Sequence, residues 1–280
     1  MLKARVITAL ILAPIVMGGI FFLPPSGFAL FTAAIITLGA WEWGNMSGFE
    51  QQMGRVGYAV AIALILFGLA DVPAVAVLWL ALLWWVVCFL LVRSYPAGSE
   101  RWGSRPVRAV MGVLVLVPAW IGLNHLRVGE FQFGDTDSNL LVILYVLCVV
   151  WVADIGAYFA GRAFGKAKLA PRVSPGKSWA GVWGGMAAVG VFALIAGVLA
   201  SASTPDVIML IVASLITGLV SVVGDLLESM LKRFRGIKDS SRLLPGHGGI
   251  LDRIDSLTAA IPIFALIVTQ LGWLTTVGHF

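Results

Sequence analysis

Charged residues are scarce in this chain. They make up 12% of its 280 residues, whereas hydrophobic residues make up 60%, and the mean hydropathy is +0.97. A soluble domain of this length needs many more polar side chains to cover its surface, so the composition excludes one and indicates a polytopic membrane protein. Short segments of alternating hydrophobicity are also missing, which excludes a membrane β-barrel.

Cysteine is nearly absent as well. Cys88 and Cys148 both fall inside apolar runs. Two isolated cysteines provide neither a disulfide framework nor the spacing of a zinc site, so we interpret them as small apolar packing residues. No internal repeat or low-complexity tract occurs in the chain.

Long apolar runs are what the chain has in abundance. A hydrocarbon core about 30 Å thick requires roughly 20 apolar residues in a helix. Nine runs predict about nine transmembrane helices in an all-α protein: Ala4–Leu23, Gly27–Met46, Val56–Leu69, Ala74–Val92, Val107–His125, Asn139–Ala160, Trp179–Leu199, Val207–Leu226 and Leu257–Trp273. The third run is short, so we expect that helix to be tilted or partly buried. Pro24-Pro25, not a small-residue cleavage site, follows the first run, so we expect a retained helix and no signal peptide.

Basic residues predict how the chain is oriented. Alternating the nine spans from a cytoplasmic N-terminus places 18 of the 19 Lys and Arg residues on one side, and only Arg127 lies opposite. The positive-inside rule puts that basic side in the cytoplasm and the C-terminus outside. The net charge of +5 is then a property of the cytoplasmic face. It suits anionic lipid head groups or nucleotide phosphates, and no soluble basic domain remains to bind nucleic acid.

Polar residues concentrate in the second half of the chain. We expect residues 1–138 to form a scaffold of about five helices and residues 139–280 to form the catalytic region. The two largest predicted cytoplasmic loops, Gly161–Ser178 and Lys232–Asp255, both lie in the second region. Function is therefore expected there.

An acidic residue lies in the span before each of these loops. Asp154 is in the predicted sixth span and Asp225 is in the eighth. Ionisable residues within a span are functional candidates by default. Tyr158 follows Asp154 by one helical turn, so a hydrogen bond between these two side chains is the structural alternative to a functional role.

The end of the eighth helix carries charges on one face, because its polar residues are spaced three or four apart. These residues are Asp225, Glu228, Ser229, Lys232 and Arg233. One interpretation is a simple salt bridge from Lys232 to Asp225 or Glu228. The other is a pocket in which Asp239, Asp252 and Asp255 converge with Asp225. Carboxylates and substrate phosphates are the ligands of hard cations such as Mg²⁺, and the nearby basic residues suit phosphate oxygens.

Two loop segments could bind anions. In Pro245–Gly249 the glycines permit positive φ angles and a close backbone approach, and His247 could donate to a phosphate or transfer a proton. In the other loop, Ser174 or Ser178 could cap the next helix beside Lys177 and form an anion site. A plain tight turn and a solvated inner loop are the respective alternatives, and the second segment lacks Walker A spacing.

These segments together resemble the phosphatidate cytidylyltransferases, or CDP-diacylglycerol synthases. The family signature runs Ser-x-apolar-Lys-Arg, four residues, Lys-Asp, then Pro-Gly-His-Gly-Gly, apolar, x, Asp-Arg-apolar-Asp. The chain matches it at about a dozen positions in fixed register, from Ser229 to Asp255. The segments from Asp154 to Gly161 and from Ser174 to Gly181 resemble two further elements of the family. A departure is Ala180, where many members carry an acidic residue, so any role of that acid is in doubt here.

The resemblance implies that CTP and phosphatidate react to CDP-diacylglycerol and pyrophosphate with magnesium, and it suggests a second cation and a homodimer. The compact length suggests a bacterial inner-membrane enzyme. We assign catalytic roles to Asp225, Asp239, Lys238 and His247, and metal binding to Asp225, Asp239, Asp252 and Asp255. Asp252 and Asp255 could instead hold Arg253 in place. The predicted substrate-binding residues are Ser174, Lys177, Ser178, Ser229, Lys232, Arg233, Gly246, Gly248, Gly249, Arg253, Asp154 and Tyr158. Glu42, between Trp41 and Trp43, is assigned no role.

Other classes of protein also place charges in membranes. A secondary transporter would show inverted repeats and a midplane site, whereas these acids cluster at one face. A CTP-dependent polyisoprenol kinase would transfer the γ-phosphoryl group and yield CDP. The long Asp-Gly…Gly-x-x-x-Asp-x-x-x-Asp pattern of CDP-alcohol phosphotransferases is absent. A purely structural protein would not need four convergent aspartates.

Overall fold

The computed structural model of the chain describes residues 2–69 and 72–275, without the side chains of residues 2–7 and 9. The expected cytoplasmic positions of the Lys3 and Arg5 side chains and the expected external C-terminus therefore lie outside the described part. The helices are α1 (Leu2–Phe22), α2 (Pro25–Ser47), α3 (Gln52–Gly68), α4 (Ala74–Ser94), α5 (Ser99–Trp102), α6 (Arg105–Val128), α7 (Asn139–Phe164), α8 (Trp179–Leu199), α9 (Thr204–Arg235) and α10 (Leu251–Gln270).

Four short strands accompany the helices. They are β1 (Glu130–Phe131), β2 (Lys168–Ala170), β3 (Ser174–Ser178) and β4 (Leu274–Thr275). β1 pairs with β4 and β2 pairs with β3, both antiparallel. The all-α expectation is therefore confirmed for the bulk of the fold, and the loop predicted at Gly161–Ser178 contains a small hairpin.

Each of the nine apolar runs corresponds to a long helix, and five of these are long and apolar enough to cross a membrane: α4, α6, α7, α8 and α9. The segments Leu10–Phe22 and Gln52–Gly68 are apolar but shorter. This count covers the described residues only. It makes the chain an integral, mostly helical membrane protein.

The helices pack as a bundle with α6 and α10 in its interior. α10 contacts α4, α6, α7 and α9, and α6 contacts α2 and α4 as well. Nearly every residue from Ser256 to Leu266 is buried. Buried hydrophobic residues form two large clusters. The first lies between α2, α3, α4, α6 and α9, and the second lies between α6, α7 and α10.

Two helix boundaries differ from the prediction in the region of interest. α9 continues beyond Leu226 to Arg235, because Glu228 and Lys232 pair across one helical turn and Gly236 ends the helix in the left-handed conformation, at φ 74°. α10 begins at Leu251 and not at Leu257. The charges of the signature therefore lie partly on rigid helices.

Small residues allow α7 and α8 to approach closely. A Cβ at Gly184 would collide with the Cβ of Ala160, and one at Gly185 would lie 2.7 Å from the carbonyl oxygen of Ala153. Close backbone approach of this kind is how helices associate in membranes without a hydrophobic driving force. The α7–α8 pair is consequently the most tightly joined pair of helices around the site described below.

We expect Gly184→Ala to destabilise the protein by about 1–3 kcal/mol, because the added methyl group overpacks the α7–α8 contact. Thermal unfolding in detergent measures the change. Gly190→Ala on the same helix is the matched control, since nothing lies within 4 Å of its Cβ position. Equal unfolding temperatures for both variants would contradict this account of the packing.

Candidate functional site

A cavity of about 380 Å³ lies between α7, β3, α8 and α9. Its polar lining comes from Asp154, Tyr158 and Arg162 along one face of α7, together with Lys177 and Ser178 of β3. Its apolar lining includes Ala153, Val182, Met186 and Val222. Along α8 the lining changes from a serine at the start of the helix to a methionine two turns later. The cavity is therefore polar where β3 meets α8 and apolar further along the helix.

The local structure around Ser178 shapes the polar end. The Ser178 hydroxyl accepts a hydrogen bond from Gly181 N at 3.2 Å, which confirms that Ser178 caps the helix after this loop. A Cβ at Gly181 would lie 3.0 Å from the carbonyl oxygen of Ala157, and one at Gly161 would lie 3.2 Å from the Ser178 hydroxyl. Glycines here leave space that side chains would fill.

Lys177 joins this cavity to α9. Its ammonium lies 2.6 Å from a carboxylate oxygen of Asp225, so β3 is held against the acidic face of α9. Asp154 interacts electrostatically with Lys177, Asp225 and Arg253. The structure thus brings together predicted site residues from both of the polar segments and from the sixth predicted span.

Tyr158 bonds Arg162 and not Asp154, which was its partner in the structural alternative. Its hydroxyl accepts a hydrogen bond from Arg162 at 3.2 Å, and among the described hydrogen bonds none joins it to Asp154. The Asp154 carboxylate therefore faces the cavity without a tyrosine partner, and Arg162 adds a cation that the prediction did not include.

Lys232 does not lie free for phosphate. Only 8% of the residue is exposed, and its ammonium donates to Glu228 at 2.5 Å and to Asp252 at 2.6 Å. This confirms the salt bridge to Glu228, and the contact of Lys232 with phosphate stays a prediction. A buried ammonium is stable only when paired in this way, so here it fastens α9 to α10.

Asp252 is also fully engaged. One carboxylate oxygen binds Lys232, and the other accepts from Ser240 N at 3.0 Å, the Ser240 hydroxyl at 2.9 Å and Gly249 N at 2.7 Å. Asp252 precedes the apolar run that begins at Leu257. Burial by itself raises the pKa of Asp252, but the hydrogen bonds from Lys232, Gly249 and Ser240 hold that pKa below its usual range. Asp252 thereby organises the loop before α10.

The four predicted metal ligands do not form one cluster. Within residues 2–69 and 72–275, no group of three or more His, Cys, Asp or Glu side chains is arranged to hold a metal ion. Asp239 is exposed on the loop, and Asp252 is turned towards Lys232. Convergence of all four aspartates on one point is thus not seen in the described residues, because Asp252 pairs with Lys232, and metal binding by Asp239 and Asp252 stays a prediction.

Asp225 and Asp255 do lie close together. Their negative charges repel one another, and a Cβ at Gly224 would lie 2.6 Å from the Asp255 carbonyl oxygen, so this glycine lets α9 and α10 approach at this level. Ser229 donates to Asp225 at 3.2 Å. The side chain of Glu228 also reaches Asp255. Two neighbouring carboxylates, Asp225 and Asp255, are the kind of partial ligand set that a hard cation takes together with substrate phosphates.

The remaining basic residues of the signature are exposed. Lys238, Arg233 and Arg253 all lie at the surface, and Arg233 donates to the carbonyl oxygen of Val173 at 3.3 Å. Ser174 is half-buried at the start of β3. The three basic side chains are therefore accessible to solvent near the end of α9 and the start of α10.

The Pro245–Gly249 turn needs its glycines. Gly246 and Gly248 have φ angles of 77° and 84°, which confirms the predicted positive φ. A Cβ at Gly249 would collide with the Ser240 hydroxyl and with Glu42. His247 donates its backbone N–H to Leu244 at 2.9 Å, and its buried Nδ1 atom has no hydrogen-bond partner.

Glu42 belongs to the site although no role was assigned to it. It lies on α2 and is 0% exposed. Its carboxylate accepts from Ile250 N at 2.9 Å, Leu251 N at 2.6 Å, the Ser241 hydroxyl at 2.5 Å and the Ser240 hydroxyl at 3.2 Å. An acidic residue inside an apolar run is costly unless it is satisfied, and that cost was the signal that could have identified it.

The chain is similar in sequence to known proteins over nearly its whole length. The model of the cytidylyltransferase family matches residues 3–271. The phosphatidate cytidylyltransferase of Pseudomonas aeruginosa is 52% identical over 275 residues, which cover 98% of this chain and 99% of the relative. That of Haemophilus influenzae is 41% identical over 282 residues, covering 95% and 98%. That of Staphylococcus epidermidis is 32% identical over 274 residues, covering 96% and 100%.

Proposed function

The chain belongs to the cytidylyltransferase family, and we propose that it transfers the cytidylyl group of CTP to phosphatidate, giving CDP-diacylglycerol and pyrophosphate. The relatives with identities of 52% and 41% bear the name of that activity. The observation that carries the proposal is the cavity of about 380 Å³ with two cations and one carboxylate at one end and an apolar lining further in. One substrate is a lipid and the other is soluble, so both kinds of surface must meet.

The chemistry is a displacement at the α-phosphorus of CTP. A phosphate oxygen of phosphatidate forms the new P–O bond, and the bond from the α-phosphorus to the bridging oxygen breaks, so pyrophosphate leaves with the electron pair. The attacking oxygen is already an anion and needs no strong base. The barrier comes from bringing two anions together and from the charge that develops on the leaving group.

The residues around the cavity are suited to neutralising this charge. We assign phosphate binding to Lys177 and Arg162 within the cavity and to Arg233, Lys238 and Arg253 around the α9–α10 junction. Lysine acts on phosphates as a compact charge, whereas arginine presents a planar fork. When phosphate binds, the Lys177 ammonium can exchange its Asp225 partner for phosphate oxygens, which would leave Asp225 free to bind a cation.

The cavity supplies the rest of the substrate site. The Ser178 hydroxyl, Asp154 and Tyr158 are proposed to contact substrate where the cavity is polar, and Ser174 to do so at its rim. His247, whose Nδ1 is unpartnered, is proposed to hydrogen-bond the departing pyrophosphate, with Gly246 and Gly248 allowing its turn. The apolar stretch of α8 is proposed to face the acyl chains.

Magnesium is proposed as the cation of this reaction. Of the predicted ligands, Asp225 and Asp255 are close together, so these two carboxylates would hold it, and Asp239 and Asp252 stay predicted ligands. Mg²⁺ is commonly held by one or two carboxylates plus substrate phosphates, and when bound it withdraws charge from the phosphates. A second cation stays a prediction.

We propose that the site faces the cytoplasm, with residues 139–280 as its main source. CTP is a cytosolic solute, and the positive-inside rule puts the basic loops on that side. We also propose that the chain crosses the membrane nine times, that this membrane is a bacterial inner membrane, and that the protein forms a homodimer.

The reaction is tested by incubating detergent-solubilised protein with CTP and phosphatidate. We expect release of pyrophosphate and formation of CDP-diacylglycerol only when both substrates and Mg²⁺ are present, and loss of both products with a chelator. Formation of CDP in place of pyrophosphate would indicate γ-phosphoryl transfer and contradict the proposal.

Asp225→Asn is expected to lower kcat by about 100- to 1000-fold, on the scale of losing one electrostatic group at a reacting centre. Turnover of the purified variant at saturating substrates measures it. Asp206→Asn, at the opposite end of the same helix where Asp206 bonds Ser203, is the matched control and should keep normal turnover. Equal rates for the two variants would remove Asp225 from the cation site.

The orientation is tested by labelling engineered cysteines in a variant that lacks Cys88 and Cys148. Arg242→Cys, in the loop before α10, should react with a membrane-impermeant maleimide only when the cytoplasmic side is open. Asp135→Cys, between β1 and α7, should react from the opposite side. The reverse result would place the basic face outside.

A further inference from the structure

Glu42 links the first half of the chain to the region of the predicted site. Its partners Ser240, Ser241, Ile250 and Leu251 lie about two hundred positions away in the sequence. All four of these hydrogen bonds come from neutral donors. A buried carboxylate requires such donors to offset the loss of hydration. The loop from Ser240 to Gly249 and the first turn of α10 are therefore built around this one side chain.

Glu42 supplies a cap that α10 lacks in its own sequence. The N-cap position of α10 is Ile250, whose side chain cannot accept a hydrogen bond, and no side-chain cap bond forms there. The first amides of a helix need acceptors, and the positive end of the helix dipole favours a carboxylate. Glu42 provides both to the N–H groups of Ile250 and Leu251.

The contacts continue from Glu42 to the charged junction. The Ser240 hydroxyl lies 3.2 Å from Glu42 and 2.9 Å from Asp252, so its single hydrogen is shared between two carboxylates. Asp252 binds Lys232, and Lys232 binds Glu228. Displacing Glu42 would thus move the loop, the start of α10 and the ammonium that fastens α10 to α9.

Gly249 shows how closely this arrangement is packed. A Cβ there would collide with both the Ser240 hydroxyl and the Glu42 carboxylate, so the backbone lies directly against them. Residues 238, 239 and 247 are on the segment that these contacts anchor, and residues 253 and 255 are on the helix turn that Glu42 caps.

We propose that Glu42 is a positioning residue for the cytidylyl transfer: from α2 it sets the placement of the loop 238–249 and of the first turn of α10, without touching substrate. The inference rests on the proposed function, and it gives residues 1–138 a part in the site beyond that of a scaffold. A carboxylate is required because each of its oxygens accepts from both a hydroxyl and a backbone N–H. In Glu42→Gln the amide group would face one pair of donors and leave a buried N–H unsatisfied.

The test uses Glu42→Gln in the full-length protein in detergent, with Glu50→Gln as control. Glu50 is 76% exposed and pairs with Arg235 at 3.4 Å, so its loss should change nothing measurable. Glu42→Gln should lower kcat/KM by about 10- to 100-fold, as expected for a group that holds contacting residues in place, while the unfolding temperature falls by only a few degrees, on the scale of one unsatisfied buried donor. An unchanged kcat/KM overturns the proposal.

Tryptic cleavage provides a second readout that does not depend on activity. Lys238 and Arg242 are exposed in the anchored loop, and we expect Glu42→Gln to raise the cleavage rate after them about 5-fold, because cleavage follows the population of the open loop. Unchanged cleavage together with a lowered unfolding temperature would show a general structural role and overturn the proposal. If the parent protein transfers no cytidylyl group but the cleavage rates differ, the proposed function fails while the anchoring stands.

Ser241→Ala keeps the proposal testable if Glu42→Gln does not fold, because it removes one donor only. It should reproduce part of the defect in kcat/KM and in loop protection. Where Glu42→Gln does fold, adding Ser241→Ala to it should lower kcat/KM little further, since both changes act on the same contact. Normal kcat/KM in Ser241→Ala, or fully additive losses in the double variant, would overturn the inference.

Discussion

The buried ammonium of Lys232 is the interaction on which the arrangement of the site depends. It lies between Glu228 of α9 and Asp252 of α10, and none of the three charges would be stable at this depth without the others. Because the two carboxylates come from different helices, satisfying the ammonium fixes how α10 sits against α9. Gly224 lets the backbones meet at the same level, and Asp225 and Asp255 are brought together as a result.

This arrangement separates residues that hold the site from residues that are free to act. One set of polar side chains is bonded within itself and so fixes the positions of the loop and of α10. These residues are Lys232, Asp252, Ser240 and Glu42. Lys238, Arg233 and Arg253 remain exposed, and Lys177 has a single carboxylate partner at the cavity. A displacement between two phosphates is favoured by charges held in place around the reacting groups, and the paired residues provide a rigid base beside these accessible cations.

The membrane explains why the site is built in this way. A soluble enzyme could surround two anionic substrates with many charged loops, whereas this chain has 14 acidic and 19 basic residues in all. Each buried charge must be paired, so most of them serve in fixed pairs or caps. The cavity between α7 and α8 combines a polar end with an apolar stretch because small residues let the two helices meet while Arg162, Lys177 and Asp154 line one part of it.

The helical membrane architecture follows from the amino-acid sequence alone, because apolar runs of sufficient length leave no other structure for their backbone polar groups. The family and the Ser178 cap follow from it as well, since the Ser229–Asp255 signature and the spacing around Ser178 are local features of the chain. Which charges face one another depends on how the folded helices pack. From the sequence, Lys232 could pair with several acids or with phosphate. In the folded bundle its partners are Glu228 on the same helix and Asp252 at the start of α10. Glu42 could not be assigned from its neighbours along the chain, because its four donors come from a loop and a helix terminus that approach it only after the bundle has folded.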